Sequence, residues 1–171
     1  DFLNAGSVVA NRIARWNGSG WSALGSGTVG GNILALVVLP NGDLIVGGRF
    51  TTAGGVTANG IARWNGSAWS ALGSGMSGGR WFDTTILALT TLPNGDLIAG
   101  GDFTTAGGVT VNSIARWNGS AWSALGSGMS SSGTSPTYVW ALTTLPSGDL
   151  IASGRFADAG GVRVNGIARW N

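Results

Sequence analysis

Short apolar runs recur along the chain, each closed by a cluster of Gly, Pro, Asn or Asp. Ile33–Leu39 is followed by Pro-Asn-Gly-Asp, after which Leu44–Phe50 opens a second run. Runs this short, rich in Ile, Leu and Val, predict strands rather than helices. Within both runs apolar residues stand side by side instead of alternating, which predicts burial on both faces. In the turn between them Pro presets φ and Gly takes a left-handed position. Ile61–Trp64 and Trp69–Leu72 flank an Asn-Gly pair, the strongest short hairpin signal. The two strand pairs are joined by a ten-residue Gly/Thr/Ala stretch, read as a loop. One unit therefore has four strands, A (Ile33–Leu39), B (Leu44–Phe50), C (Ile61–Trp64) and D (Trp69–Leu72). The Gly47-Gly48 pair inside strand B predicts close packing against a neighbour, as where sheets converge on an axis.

The unit repeats. Ile-Ala-Arg-Trp-Asn begins at Ile13, Ile61, Ile114 and Ile167, at spacings of 48, 53 and 53 residues, and residues 61–76 are identical to 114–129. Leu-Pro-Asn-Gly-Asp-Leu-Ile occurs at 39–45 and 92–98, with Ser147 replacing Asn at 145–151. Strand A recurs at Ile86–Leu92 and Val139–Leu145, and strand B at Leu97–Phe103 and Leu150–Phe156. A period near fifty fits a four-stranded antiparallel β-propeller blade. Strands A, B and D each occur three times and strand C four times, so the 171 residues form a single array of roughly three and a third blades. The repeat units are 1–48, 49–101 and 102–154, with a partial unit at 155–171. Propellers close with about four to eight blades. The array is therefore expected to be completed, either by other copies of the chain in a closed ring or by further blades of a longer array. The duplicated strand C favours the longer array, and the 171 residues are not expected to fold as a self-sufficient monomer.

Three apolar residues, Gly-Gly and a downstream Trp (Leu44-Ile-Val-Gly-Gly, then Trp64) resemble the kelch-type blade, without the Tyr that kelch blades place between Gly-Gly and Trp. The whole unit is similar to repeats of bacterial secreted propeller proteins and of the fungal cortical polarity-marker family. The resemblance covers essentially the whole chain. It implies a secreted or cell-surface propeller.

Composition narrows the chemistry. Only 9% of residues are charged, and every cation is Arg and every anion Asp. The net charge of +2 arises from nine scattered Arg, which form no dense basic patch, so no nucleic-acid partner is expected. No apolar run approaches the length of a membrane span. His, Cys, Glu and Lys are absent, and with them the common general bases, activated nucleophiles and metal ligands. No catalytic residue, cofactor or metal is expected.

Asp43, Asp96 and Asp149 are one turn position repeated. The Arg before each strand-C Trp either grips an anion or pairs with Asp beside an aromatic. Asp1 and Asp102 stand where Arg49 and Arg155 stand in other units, which suggests contacts between neighbouring blades. Trp69 and Trp122 are read either as sugar-stacking platforms or as packing between blades. Asn17, Asn65 and Asn118 each open an Asn-Gly-Ser sequence, which is both a hairpin turn and a glycosylation sequon. The D–A linkers diverge where the rest is copied, and Arg80, Trp81, Phe82 and Asp83 mark the largest departure. Loops on a rigid scaffold are where binding concentrates, and Tyr138 and Trp140 extend this patch.

The reading is a non-enzymatic extracellular or cell-surface β-propeller, an interaction or structural module of the adhesion type whose partner is a glycan or a cell-surface protein. The alternative is a multivalent lectin with one glycan site per blade. A third reading is the accessory propeller of a hydrolase.

Overall fold

The computed structural model describes residues 2–80, 83–131 and 136–171. Its regular structure is all β and antiparallel. The first blade consists of strand A (Ile33–Val38), B (Leu44–Gly48), C (Ile61–Trp64) and D (Trp69–Ala71), hydrogen-bonded in the order D-C-B-A. The second repeats it with Thr85–Thr91, Leu97–Asp102, Ile114–Trp117 and Trp122–Ala124. The third has A (Tyr138–Thr144), B (Leu150–Arg155) and C (Ile167–Trp170). A two-stranded hairpin of C and D type, Ala14–Trp16 with Trp21–Ala23, precedes the first blade. Each sheet joins strands A and B of one repeat unit to C and D of the next, so blades and repeat units are out of phase.

Blades stack through three apolar layers. Ile13 and Leu24 of the hairpin pack with Val46, Phe50, Ala62 and Trp69 of the first blade. Ile45 and Ile61 of the first blade meet Ile86, Leu97, Phe103 and Trp122 of the second. Ile98 and Ile114 then meet Val139, Leu150 and Phe156 of the third. The strands A lie against one another from blade to blade and mark the axial side. Gly-Gly in strand B has the expected cause. A Cβ on Gly47 would lie 2.6 Å from Ile86 Cγ2, and one on Gly100 would lie 2.6 Å from Val139 Cγ1.

Two features depart from the sequence expectation. The 51–60 stretch is not an irregular loop: Thr52–Ala53 and Val56–Thr57 form a hairpin across Gly54-Gly55, both at positive φ. Thr28–Val29 from the preceding D–A linker adds a third strand, and the pattern recurs at Met76–Ser77 and Met129–Ser130. Gly-Gly between Ala and Val was itself a two-residue hairpin signal. Each strand A also carries a bulge, between Ile33 and Ala35, Ile86 and Ala88, and Val139 and Ala141. Burial on both faces of strand A, expected from its consecutive apolar residues, does not hold in the first blade. There Leu34, Leu36 and Val38 are exposed, because the preceding hairpin brings no strand A or B to cover them.

Candidate functional site on the axial rim

Most repeated polar residues are committed to the scaffold. Arg63 pairs with Asp43 at 2.6 Å, Arg169 pairs with Asp149 at 2.9 Å, and Arg116 pairs with Asp96, its Nε donating at 2.6 Å. Asn41 and Asn94 donate to the same carboxylates from within the turn. Ser147 replaces them in the third blade, and its hydroxyl, with the Arg169 guanidinium acting against burial, holds Asp149 below the ordinary value of 3.8. Turn aspartate and strand-C arginine are thus one clamp per blade. Asn17, Asn65 and Asn118 cap their hairpins, each Oδ1 accepting backbone N–H groups two and three residues on.

Trp69 and Trp122 leave the list of candidate binding residues. They are 7% and 5% exposed, and their indole N–H groups donate to the carbonyls of Leu24 (2.7 Å) and Leu72 (2.9 Å) in the preceding units. A sugar cannot stack on a ring enclosed between blades.

What remains gathers on one rim. The strand-A bulge re-aims one residue per blade, and bulges commonly do this beside binding sites. That residue is Leu34, then Leu87, then Trp140. Trp140 is 57% exposed and packs on Tyr138 with ring centroids 5.2 Å apart. Beside the pair lies a cleft of about 310 Å³ lined by Arg49, Thr85, Leu87, Asp102, Tyr138 and Trp140. Arg49 Nε donates to Thr85 Oγ1 at 3.1 Å, a contact from the first blade to the second. Asp102 ends strand B of the second blade, opposite Thr85, and is buried. Its Oδ1 accepts the Arg80 backbone N–H at 3.0 Å, which ties the divergent linker to the rim. Asp102 and Arg80 also line a smaller neighbouring cleft of about 110 Å³, with Ser113 and Thr137; Ser113 Oγ donates to the Thr137 carbonyl at 3.0 Å.

Arg80 and Asp83 are exposed, and the Asp83 carbonyl accepts Thr85 Oγ1 at 2.5 Å. Trp81 and Phe82 lie outside the described residues. The structure therefore joins Arg80 and Tyr138 through Asp102, and adds Arg49, Thr85 and Asp102. The signal for Asp102 was present in the chain as a charge that changes sign between equivalent positions.

Residues 39–66 and 92–119 match the family model described as a β-propeller domain of unknown function (DUF5122). This chain is built of propeller repeats. Both matched stretches run from the end of strand A through B to the C–D turn, so they include the clamp, the double glycine and the rim residues Arg49 and Asp102, but not Tyr138 or Trp140. No curated protein and no solved structure matches the chain.

Proposed function

We propose that this propeller array is a non-catalytic interaction module of the adhesion type, acting outside the cell and binding its partner through the axial rim of the second and third blades. Trp140 carries the reading. On a scaffold copied almost residue for residue, the position that holds Leu34 and Leu87 in the other blades holds an exposed Trp, stacked on the chain's only Tyr. Exposed aromatic rings beside hydrogen-bonding groups are the usual anchors of recognition surfaces. The carboxylates support a non-catalytic role, since three of the seven Asp are tied into clamps. The extracellular setting rests on the resemblance to secreted propeller repeats. Further blades, from other copies or from a longer array, complete the ring.

One observation favours a glycan as the partner. The Tyr138–Trp140 pair offers apolar ring surface in one cleft with the exposed Arg49, the combination that holds a sugar's C–H face and its hydroxyls. The site would not repeat in the first two blades, because their strand-D Trp are enclosed. Trp140→Leu installs the residue of the other blades and is expected to fold unchanged. Binding of wild type and Trp140→Leu to a glycan array and to a panel of immobilised cell-surface proteins tests both readings. Glycan hits lost in the variant support the sugar site; a blank array with protein binding lost in the variant supports a protein partner. Binding that the variant retains in full removes the rim from consideration.

A further inference from the structure

Three differences between equivalent positions meet at the joint of the second and third blades. The residue after the double glycine of strand B is Arg49 in the first blade and Asp102 in the second. The residue before strand C is Gly60 in the first blade and Ser113 in the second. The residue that opens the next blade's strand A is Thr85 at the first joint and Tyr138 at the second. Asp102 and Tyr138 line the aromatic cleft, while Asp102 and Ser113 line the smaller one beside it. The strand-C and strand-D segments that follow are copied without change, residues 61–76 being identical to 114–129.

At the first joint the preceding blade holds the opening of strand A, because Arg49 Nε donates to Thr85 Oγ1 at 3.1 Å. The second joint cannot repeat that contact. Asp102 offers acceptors, one of which takes the Arg80 N–H, and Tyr138 carries a ring where Thr85 carries its β-hydroxyl. Ser113 supplies a tether of its own. Its Oγ donates at 3.0 Å to the carbonyl of Thr137, the residue directly before Tyr138. Both residues are buried, so the bond is shielded from competing water. Thr137 Oγ1 in turn donates to Ser131 Oγ at 3.1 Å, which joins the tether to the D–A linker. Ser113 holds this place at φ +62°, in the left-handed region that a residue with a Cβ rarely enters. Gly60 and Gly166 meet the same turn at +81° and +74° without a Cβ. Serine thus carries backbone strain that glycine avoids, and such residues collect at binding sites and switch regions, where their surroundings hold them in place.

We infer that Ser113 is a positioning residue for the rim: its strained hydroxyl fixes the start of the third blade's strand A and so presets the Tyr138–Trp140 pair for its partner. The inference rests on the rim as the binding surface. The three differences then have one cause. Placing a ring at the Thr85 position removes the hydroxyl that Arg49 grips, and the tether moves to the residue before strand C. Asp102, no longer a donor, holds the linker through Arg80 instead. The gain is preorganisation. Rings fixed before contact need no ordering when the partner arrives, and binding keeps the free energy that ordering them would have consumed. The bulge turns Trp140 outward, and Ser113 anchors the strand three residues before it.

Ser113→Gly installs the residue of the other blades, removing strain and tether together, while Ser113→Ala keeps the Cβ and removes only the hydroxyl. Hydrogen exchange of the chain without partner should quicken about tenfold at Tyr138–Leu142 in both variants, the effect of one lost buried hydrogen bond. It should stay unchanged at Thr85–Leu89, which Arg49 holds. The indole N–H resonance of Trp140, identified by its absence in Trp140→Leu, should shift and broaden, while those of Trp69 and Trp122 keep their positions. Ser113→Ala should melt lower than Ser113→Gly, because it alone retains the strain. Unchanged exchange at Tyr138–Leu142 overturns the inference. A loss of protection spread evenly over the three blades overturns it too, since Ser113 would then serve the fold and not the rim. On the glycan array and the panel of cell-surface proteins, Ser113→Gly should weaken the binding that Trp140→Leu abolishes. Binding lost in Trp140→Leu and untouched in Ser113→Gly removes the positioning role and leaves the rim standing. Binding indifferent to Trp140→Leu removes the rim, and the positioning role with it.

Discussion

At the residue scale, identical side chains have different values because their surroundings differ. Trp122 donates to a buried carbonyl between blades, whereas Trp16, in the exposed hairpin, packs mainly on Trp21 with its rings 5.3 Å away. Trp122→Phe removes the indole N–H bond and leaves the Leu72 carbonyl only the Gly75 N–H at 3.3 Å, and should cost about 0.5–1.5 kcal/mol in denaturant unfolding; Trp16→Phe should stay within about 0.5 kcal/mol of wild type. The turn clamps predict a pH effect. The folded pKa of Asp149 is depressed, first by the Ser147 hydroxyl and then by Arg169. Its contribution is therefore fully present above the ordinary value of 3.8 and is lost only as pH falls through the lower folded value. Ser147→Ala brings that pKa back up and should move the acid-unfolding midpoint, followed by circular dichroism, to higher pH. The clamp was half legible in the chain: Asp and Arg recur at fixed spacing, but their pairing needs strands B and C side by side.

At the element scale, strands B and C were readable almost to their ends, because β-branched and aromatic residues bounded by Asn-Gly and Pro-Asn-Gly leave few alternatives. The two-residue strands of the linkers were not, since each is held by one or two ladder bonds to a segment distant in sequence. The strand-A bulges escaped for a similar reason: a bulge is a mismatch between two strands and neither one carries it alone. Strand B of the second blade is buried along its whole length and sits between two neighbours. Gly100→Ala drives a Cβ to 2.6 Å from Val139 and should destabilise the chain by about 1–3 kcal/mol through overpacking. The same step at the third blade, Ser153→Ala, should be close to neutral by thermal melting. Native-state hydrogen exchange should follow the same gradient, slowest at Leu97–Asp102 and fastest at Ile167–Trp170, where one edge of the sheet is open. Uniform protection across the blades would contradict this.

At the scale of the whole molecule, blades touch only their neighbours, so stability is a sum of blades and joints. The period and the number of strands of types A to D followed from sequence alone, because repetition and hydrophobic pattern are local properties that survive without coordinates. The poverty of catalytic side chains was equally plain, being a matter of inventory. Tertiary structure alone decided which copies of a repeated residue face solvent. Trp69 and Trp122 are enclosed by the preceding unit, Trp21 has the same sequence setting and is exposed among the described residues, and Trp140 is turned outward by a bulge. Burial depends on what lies across an interface, and interfaces here are made between segments about fifty residues apart. A repeat therefore announces the blade in its sequence, while the neighbour that each blade meets determines whether a given side chain is core or contact surface.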